Sequence, residues 1–235
     1  MSARFEELDW QQTPMGEVSL RRRRDPVVDR DVYEVQLNDE FLMSSLFTVA
    51  ETELGRLGLA QLDRDDLHVL VGGLGLGYTA VAALEDPRVS TLTVVDAIEP
   101  VIDWHRRGLL PYTAGLTDDA RVELVHDDFF DLVATGRTSR VYDVLLLDID
   151  HTPDHVLHPS HRAFYSAAGL HRLEALLAED GVFAMWSDDP PEPTFRAALE
   201  QVFGHVVAHV VTFPNPLTRG ESSSTVYVAR RRPRQ

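Results

Sequence analysis

The feature that most constrains this sequence begins at residue 67, where short apolar runs start to alternate with helical patterns. LHVLV (67–71) precedes a glycine-rich turn and YTAVAALED, and STLTVVD (90–96) precedes IEPVIDWHRR. RVELVHD (121–127) leads to DFFDLVATG, and VYDVLLLD (141–148) leads to a loop rich in proline and histidine. A helix is expected near 161–178, then the strand GVFAMWS (181–187), the helix PTFRAALEQVF and a closing strand pair, HVVAHVV and STVYVARR. Strands that are continuous apolar runs are covered on both faces, and their alternation with helices predicts an α/β fold with a parallel sheet. Such sheets bind ligands beyond the carboxyl ends of their strands. Function is therefore expected in the loops after Val71, Val95, Val125 and Leu147.

The chain ahead of this pattern reads differently. Residues 17–24 (EVSLRRRR) and 32–37 (VYEVQL) are expected as strands, broken at Asp25-Pro26, with a turn at Asn38-Asp39. Residues 44–60 place Leu46, Phe47, Ala50, Leu54 and Leu57 on one face and predict an amphipathic helix capped by Ser44. The expected organisation is a β-hairpin extension over 1–43 and a catalytic domain over 44–235. Exposed edge strands in such an extension invite pairing with a second copy, which predicts a homodimer.

Composition excludes several chemistries. The 235 residues contain no cysteine, which removes disulfides, thiolate metal sites and cysteine nucleophiles and fits a reducing cytoplasm. No apolar run approaches the roughly 18 residues of a membrane span, and the mixed, acidic start MSARFEELDW is not expected to be a signal peptide. Acids outnumber bases 38 to 22, a net charge of −16, and every base is arginine. Such a chain repels nucleic acid and anionic membranes and attracts a cationic small molecule, although acidity also serves solubility alone. The run Arg21–Arg24 and the tail Arg230, Arg231, Arg232 and Arg234 follow strand-like segments and read as solvated edges.

The loop Gly72-Gly73-Leu74-Gly75-Leu76-Gly77 allows a tight turn and close approach of a ligand to backbone. It matches neither the G-x-G-x-x-G fingerprint nor a P-loop, so it suits a nucleoside without pyrophosphate, or a bare strand–helix turn. Asp96 ends the second strand about 20 residues later, where an acid takes the ribose hydroxyls in nucleotide-binding folds; the alternative is a helix cap. Asp127, with Asp128, ends the third strand, placed to accept from an adenine amine or to close a turn. Asp148, at the mouth of an apolar strand, is a candidate base or ammonium partner, followed by Asp150 and His151. His151, His155, His158 and His161 cluster nearby but form no helical H-E-x-x-H pattern, so no metal is expected. Trp104-His105 suits either stacking on an adenine or ordinary packing. Trp186 and Asp188 add to the same rim.

The order GGLGLG, VVDAIEP, HDDFF and YDVLLLDIDHTP resembles the spermidine synthase family and its spermidine-synthase-like relatives. The resemblance implies the Rossmann-like, seven-stranded, mostly parallel sheet of S-adenosylmethionine-dependent methyltransferases, with a small N-terminal β extension. It implies transfer of an aminopropyl group from decarboxylated S-adenosylmethionine to an amine. Asp96 matches the ribose-binding acid, Asp127 the adenine-contacting acid, Asp148 the acid that deprotonates the amine, and Gln36 a glutamine near the donor's tail. Gly72, Gly73, Gly75 and Gly77 belong to the donor loop, and Asp150 and His151 to the substrate motif. Three positions depart from the family. Gly75 stands where an aspartate holds the aminopropyl ammonium, Leu42-Met43 replace a Tyr-His pair, and the second acid of the D-x-x-D motif falls on His151.

These residues predict a transferase that uses a sulfonium nucleoside, with aminopropyl transfer first. One alternative is a small-molecule methyltransferase using S-adenosylmethionine, which the loss of an acid at Gly75 favours. The other is a non-catalytic nucleoside-binding homologue, since fold alone does not establish activity.

Overall fold

The computed structural model describes residues 5–38, 40–138 and 140–232. Two sheets organise it. The larger has seven strands: β5 (Leu67–Gly72), β6 (Val89–Asp96), β7 (Val122–His126), β8 (Tyr142–Leu147), β9 (Leu177–Ser187), β10 (His205–Asn215) and β11 (Gly220–Arg230). Their order is β10-β11-β9-β8-β5-β6-β7. Strands β5 to β9 run parallel, and β11 and β10 join antiparallel at one edge. The chain leaves β5 towards β6 on one side and returns to β8 on the other, so a crevice opens above these three strand ends.

The two-residue period of a strand splits the apolar runs between two cores. Val69, Val71, Val144 and Leu146 face one core with helices α1 (Val49–Leu59), α2 (Tyr78–Leu84) and α3 (Glu99–Arg106). Leu70, Leu145 and Leu147 face the other with α4 (Phe129–Thr135), α5 (Ala167–Glu174) and α6 (Pro193–Val202). This is why the strands carry no polar alternation.

The smaller sheet is an antiparallel meander of β1 (Phe5–Thr13), β2 (Gly16–Asp25), β3 (Arg30–Leu37) and β4 (Glu40–Ser44). Strand β1 is absent from the sequence expectation, and the arginine run is not a solvated edge. Arg21 and Arg22 lie within β2 opposite Glu7 and Glu6 of β1, and Arg23 pairs with Asp25 and Glu34. The sheet is tied to α3, since Trp104 Nε1 donates to Asp9 Oδ2 at 2.7 Å and Arg107 pairs with the same carboxylate.

Three expectations at element ends need correction. Ser44 ends β4 rather than capping a helix, and its Oγ accepts from Leu46 N–H. Helix α1 begins five residues later, at Val49. The helix expected near 161–178 is a short 3₁₀ turn, Pro159–Ala163, followed by α5. Ser166 separates them by capping α5, its Oγ accepting from Gly169 N–H. The fifth parallel strand starts earlier than expected, at Leu177.

No helix among the described residues is long and apolar enough to cross a membrane.

Candidate active site

Two cavities of about 270 and 220 Å³ lie above the sheet, and both are bordered by Leu42, Met43, Gly75, Asp148, Ile149 and Leu157. The smaller extends over β6 and α4, past Asp96, Ile98, Asp128, Phe129 and Phe130. The larger extends over α1 and the end of β9, past Phe47, Glu51, Tyr78, His151, Trp186 and Asp188. Asp148 stands where they meet.

The glycine loop brings Asp148 to this position. Gly72 ends β5, its carbonyl accepting from Asp148 N–H at 2.8 Å. Gly73 has φ +93°, and a side chain there would overlap the Asp148 carbonyl. Only glycine allows so close an approach of β5 to the start of the β8 loop. Gly77 is the residue before α2, whose Thr79 Oγ1 donates to Asp148 Oδ2 at 2.7 Å. Burial pushes the Asp148 carboxyl up, and the Thr79 hydrogen bond opposes it only in part.

Glu51 was not anticipated from the sequence. It sits in the first turn of α1 and borders the larger cavity with Asp148. Burial pushes its carboxyl up, and the neighbouring Asp148 charge pushes it further. Like charges on neighbouring carboxylates oppose one another's ionisation. A cation entering between them would restore both charges. The amphipathic reading of 44–60 concerned only its apolar face, and a lone acid among Ala50, Thr52 and Glu53 carries no distinguishing signal.

Asp96 borders the smaller cavity. Its Oδ2 accepts from Leu74 N–H at 2.9 Å and its Oδ1 from Ile98 N–H at 2.8 Å, so it also ties the glycine loop to the start of α3. Burial pushes its carboxyl up. His151 borders the larger cavity.

Three other expected contacts are not reproduced. Gln36 borders neither cavity, because neighbouring side chains on a strand point to opposite faces and it is Val35 that turns inward. Asp127 also stays outside. Its Oδ1 is taken by Arg137 at 2.9 Å and by Asp128 N–H at 2.8 Å, and it is Asp128 that borders the cavity. Asp150 is 3% exposed and turned into the protein, where its carboxylate accepts from Leu157 N–H, Tyr165 O–H and His161 Nδ1–H. It holds other residues in place instead of facing a substrate.

Trp104-His105 does not stack in the cleft either. Trp104 is fully buried, and His105 Nε2 lies 2.9 Å from the Gly75 carbonyl, propping the glycine loop from below. Burial pushes the His105 imidazole down, towards the neutral form. Among the described residues no group of three or more His, Asp or Glu side chains is arranged to hold a metal ion.

Gly75, with φ +47°, carries the departure with the clearest geometry. A Cβ there would lie 2.6 Å from Met43 Sδ. The thioether thus fills the space into which an acid at position 75 would project, and this wall of the cleft is apolar.

A family model for the spermine/spermidine synthase domain matches residues 54–214. The chain belongs to this family. It is 34% identical over 123 residues to the polyamine aminopropyltransferase of Bacillus subtilis (strain 168), covering 52% of this chain and 42% of that protein. It is 29% identical over 157 residues to polyamine aminopropyltransferase 2 of Pseudomonas aeruginosa, covering 64% and 43%. The chain thus spans about half the length of the curated relatives it matches. Among solved structures, a spermidine synthase in complex with the transition-state analogue AdoDATO superposes with a TM-score of 0.74 at 18% identity, over 95% of this chain and 73% of that one. Spermidine synthase from Thermotoga maritima gives 0.73 at 16% identity, over 95% and 72%. At these identities the likeness establishes the fold: the seven-stranded Rossmann-like sheet preceded by a small antiparallel one.

Proposed function

We propose that the chain transfers an aminopropyl group from decarboxylated S-adenosylmethionine to a small amine acceptor. The observation that carries this reading is the meeting of two cavities at Asp148, one bordered by Asp96 and the other by Glu51 and Asp188. Displacement at a carbon bound to sulfur needs donor and acceptor on opposite sides of that carbon, with a base beside the incoming nitrogen. In this reading Asp96 accepts from the ribose hydroxyls, the backbone of Gly73 to Gly77 borders the 5′ sulfonium, and the acids of the larger cavity receive the ammonium.

An alkylamine arrives protonated, with a reference pKa near 10.4. Asp148 takes its proton, the freed lone pair attacks the carbon next to sulfur, and the carbon–sulfur bond breaks. The bonding electrons return to sulfur, leaving methylthioadenosine. The raised pKa of Asp148 makes it a better base than an exposed aspartate. Names of the relatives support the reading, as does the acidic acceptor side.

A second reading is favoured by one observation, the packing of Met43 on Gly75. With no carboxylate at that wall, S-adenosylmethionine itself would meet no charge opposing its own carboxylate, which suits methyl transfer. Calorimetric titration with methylthioadenosine, S-adenosylmethionine and its decarboxylated form separates the two. Aminopropyl transfer predicts that the decarboxylated donor binds at least about tenfold more tightly than the full one. The reverse order favours methyl transfer, and no binding of any of the three contradicts both.

A further inference from the structure

We propose that His161, oriented by Asp150, reads the base edge of the nucleoside in the smaller cavity and selects a 6-amino purine over a 6-oxo purine. The inference rests on the nucleoside reading of that cavity and adds the residue that recognises the base.

The expected base contact, Asp127, lies outside the cavity and is held by Arg137. Asp128 borders it, but its Oδ1 caps α4, accepting from Phe130 N–H at 2.8 Å and Asp131 N–H at 3.2 Å. The same cavity is also bordered by His158, Ser160 and His161. His158 Nδ1 is engaged with Ser160 Oγ at 2.7 Å.

His161 is held in one orientation. Its ring stacks on Phe130 with centroids 3.8 Å apart and planes at 19°. Its Nδ1 lies 2.9 and 3.2 Å from the two Asp150 oxygens. Asp150 also accepts from Leu157 N–H at 2.7 Å and Tyr165 O–H at 2.7 Å, so it acts as an acceptor throughout and Nδ1 carries the ring proton. Burial and the Asp150 charge push the Tyr165 hydroxyl up, which keeps it a donor.

In the neutral ring with this tautomer Nε2 is an acceptor. Nε2 has no hydrogen-bond partner among the described residues, yet it is not among the side-chain nitrogens sealed inside the protein without one. The edge of the ring that borders the cavity therefore offers a lone pair. An exocyclic amine, as on adenine, satisfies it. A 6-oxo group, as on hypoxanthine, sets acceptor against acceptor, and a site built for a donor rejects such an analogue strongly.

The test is calorimetric titration with 5′-methylthioadenosine and 5′-methylthioinosine. Wild-type protein is expected to prefer the adenine nucleoside by about tenfold or more. His161→Asn keeps a donor towards Asp150 but removes the nitrogen at the cavity. The preference should fall to within about threefold, with the thermal midpoint of unfolding showing that the variant is folded. His161→Gln, whose amide oxygen reaches the position of Nε2, should retain most of it.

Asp150→Ala frees the ring to turn and should lower the preference. Asp150→Asn still offers Oδ1 to Nδ1–H and Leu157 N–H and should keep it. A folded His161→Asn protein with the wild-type preference would overturn the assignment and leave Asp128 as the base reader. Equal affinities of the wild type for both nucleosides would overturn it without any variant. Wild-type protein that binds neither nucleoside would overturn the nucleoside reading along with it.

Discussion

The two sides of the cleft, which the proposed function reads as a nucleoside side and an acceptor side, are built from different material. The nucleoside side is formed at the carboxyl ends of β5, β6 and β7, by the glycine loop, Asp96 and the start of α4. The acceptor side is assembled from β4 and α1, which follow one another in the chain, and the end of β9, far from both in sequence. The second sheet borders both sides through Leu42 and Met43; strand ends of the larger sheet shape the first side, and helix α1 the second. The first side keeps the acid at Asp96 that the family resemblance implies. Met43 packs on Gly75 where the two sides meet, and the second side carries a half-buried acid, Glu51, on a helix. Under the proposed function, strand ends would constrain donor binding, and the segments that cover them would set acceptor recognition.

Asp148 belongs to both sides, and replacing it should have the largest effect. Asp148→Asn keeps the shape and the contact with Thr79 but removes charge and basicity. Turnover with any accepted donor–acceptor pair is expected to fall by roughly 10²–10⁴, the usual contribution of a general base. Methylthioadenosine affinity should stay within about tenfold. A turnover loss below about threefold would mean that Asp148 only organises the loop, and the two sides would then not meet at a catalytic group.

A smaller effect sharpens the acceptor side alone. Burial raises the Asp148 and Glu51 carboxyls, so the folded protein holds protons that the unfolded chain has released. For carboxyls raised in this way, stability is fully present below the ordinary carboxylate range. It is lost as pH rises from there through neutrality towards the raised values. Glu51→Gln removes one charge of the pair. Its thermal midpoint should exceed that of the wild type by about 2–4 °C at pH 8, with a smaller difference at pH 5. An equal difference at both pH values, read by differential scanning calorimetry, would show that the two carboxyls are not coupled through burial.

Much of the nucleoside side was legible in the sequence because strand ends leave a short-range record. An apolar run followed by glycines or an acid marks both the strand and the position of the side chain at its mouth, as at Gly72 and Asp96. The record fails by one residue at Asp127, because an arginine ten positions away, Arg137, takes its carboxylate. It fails at Asp150 because nothing local reveals that His161, Tyr165 and Leu157 N–H will converge on it.

On the acceptor side His151, Trp186 and Asp188 were legible in the sequence, but Glu51 was not, for the same reason. The role of Glu51 depends on where α1 lies against Asp148, and that is set by long-range packing. Strand β1 was missed because FEELDWQQ lacks an apolar alternation. Its signal is the acids Glu6 and Glu7, which find partners only in the arginines of β2.

The division of the cleft is tested most directly by titrating methylthioadenosine into the wild-type protein, Asp96→Ala and Glu51→Gln under identical conditions. Asp96→Ala removes the charged acceptor for two ribose hydroxyls and is expected to weaken binding by roughly 1–3 kcal/mol, about 5- to 150-fold. Glu51→Gln lies on the other side of Asp148 and should leave the nucleoside affinity within about twofold of wild type. Folded variants that lose equal affinity, or an Asp96→Ala protein that binds as well as wild type, would contradict the division of the cleft at Asp148.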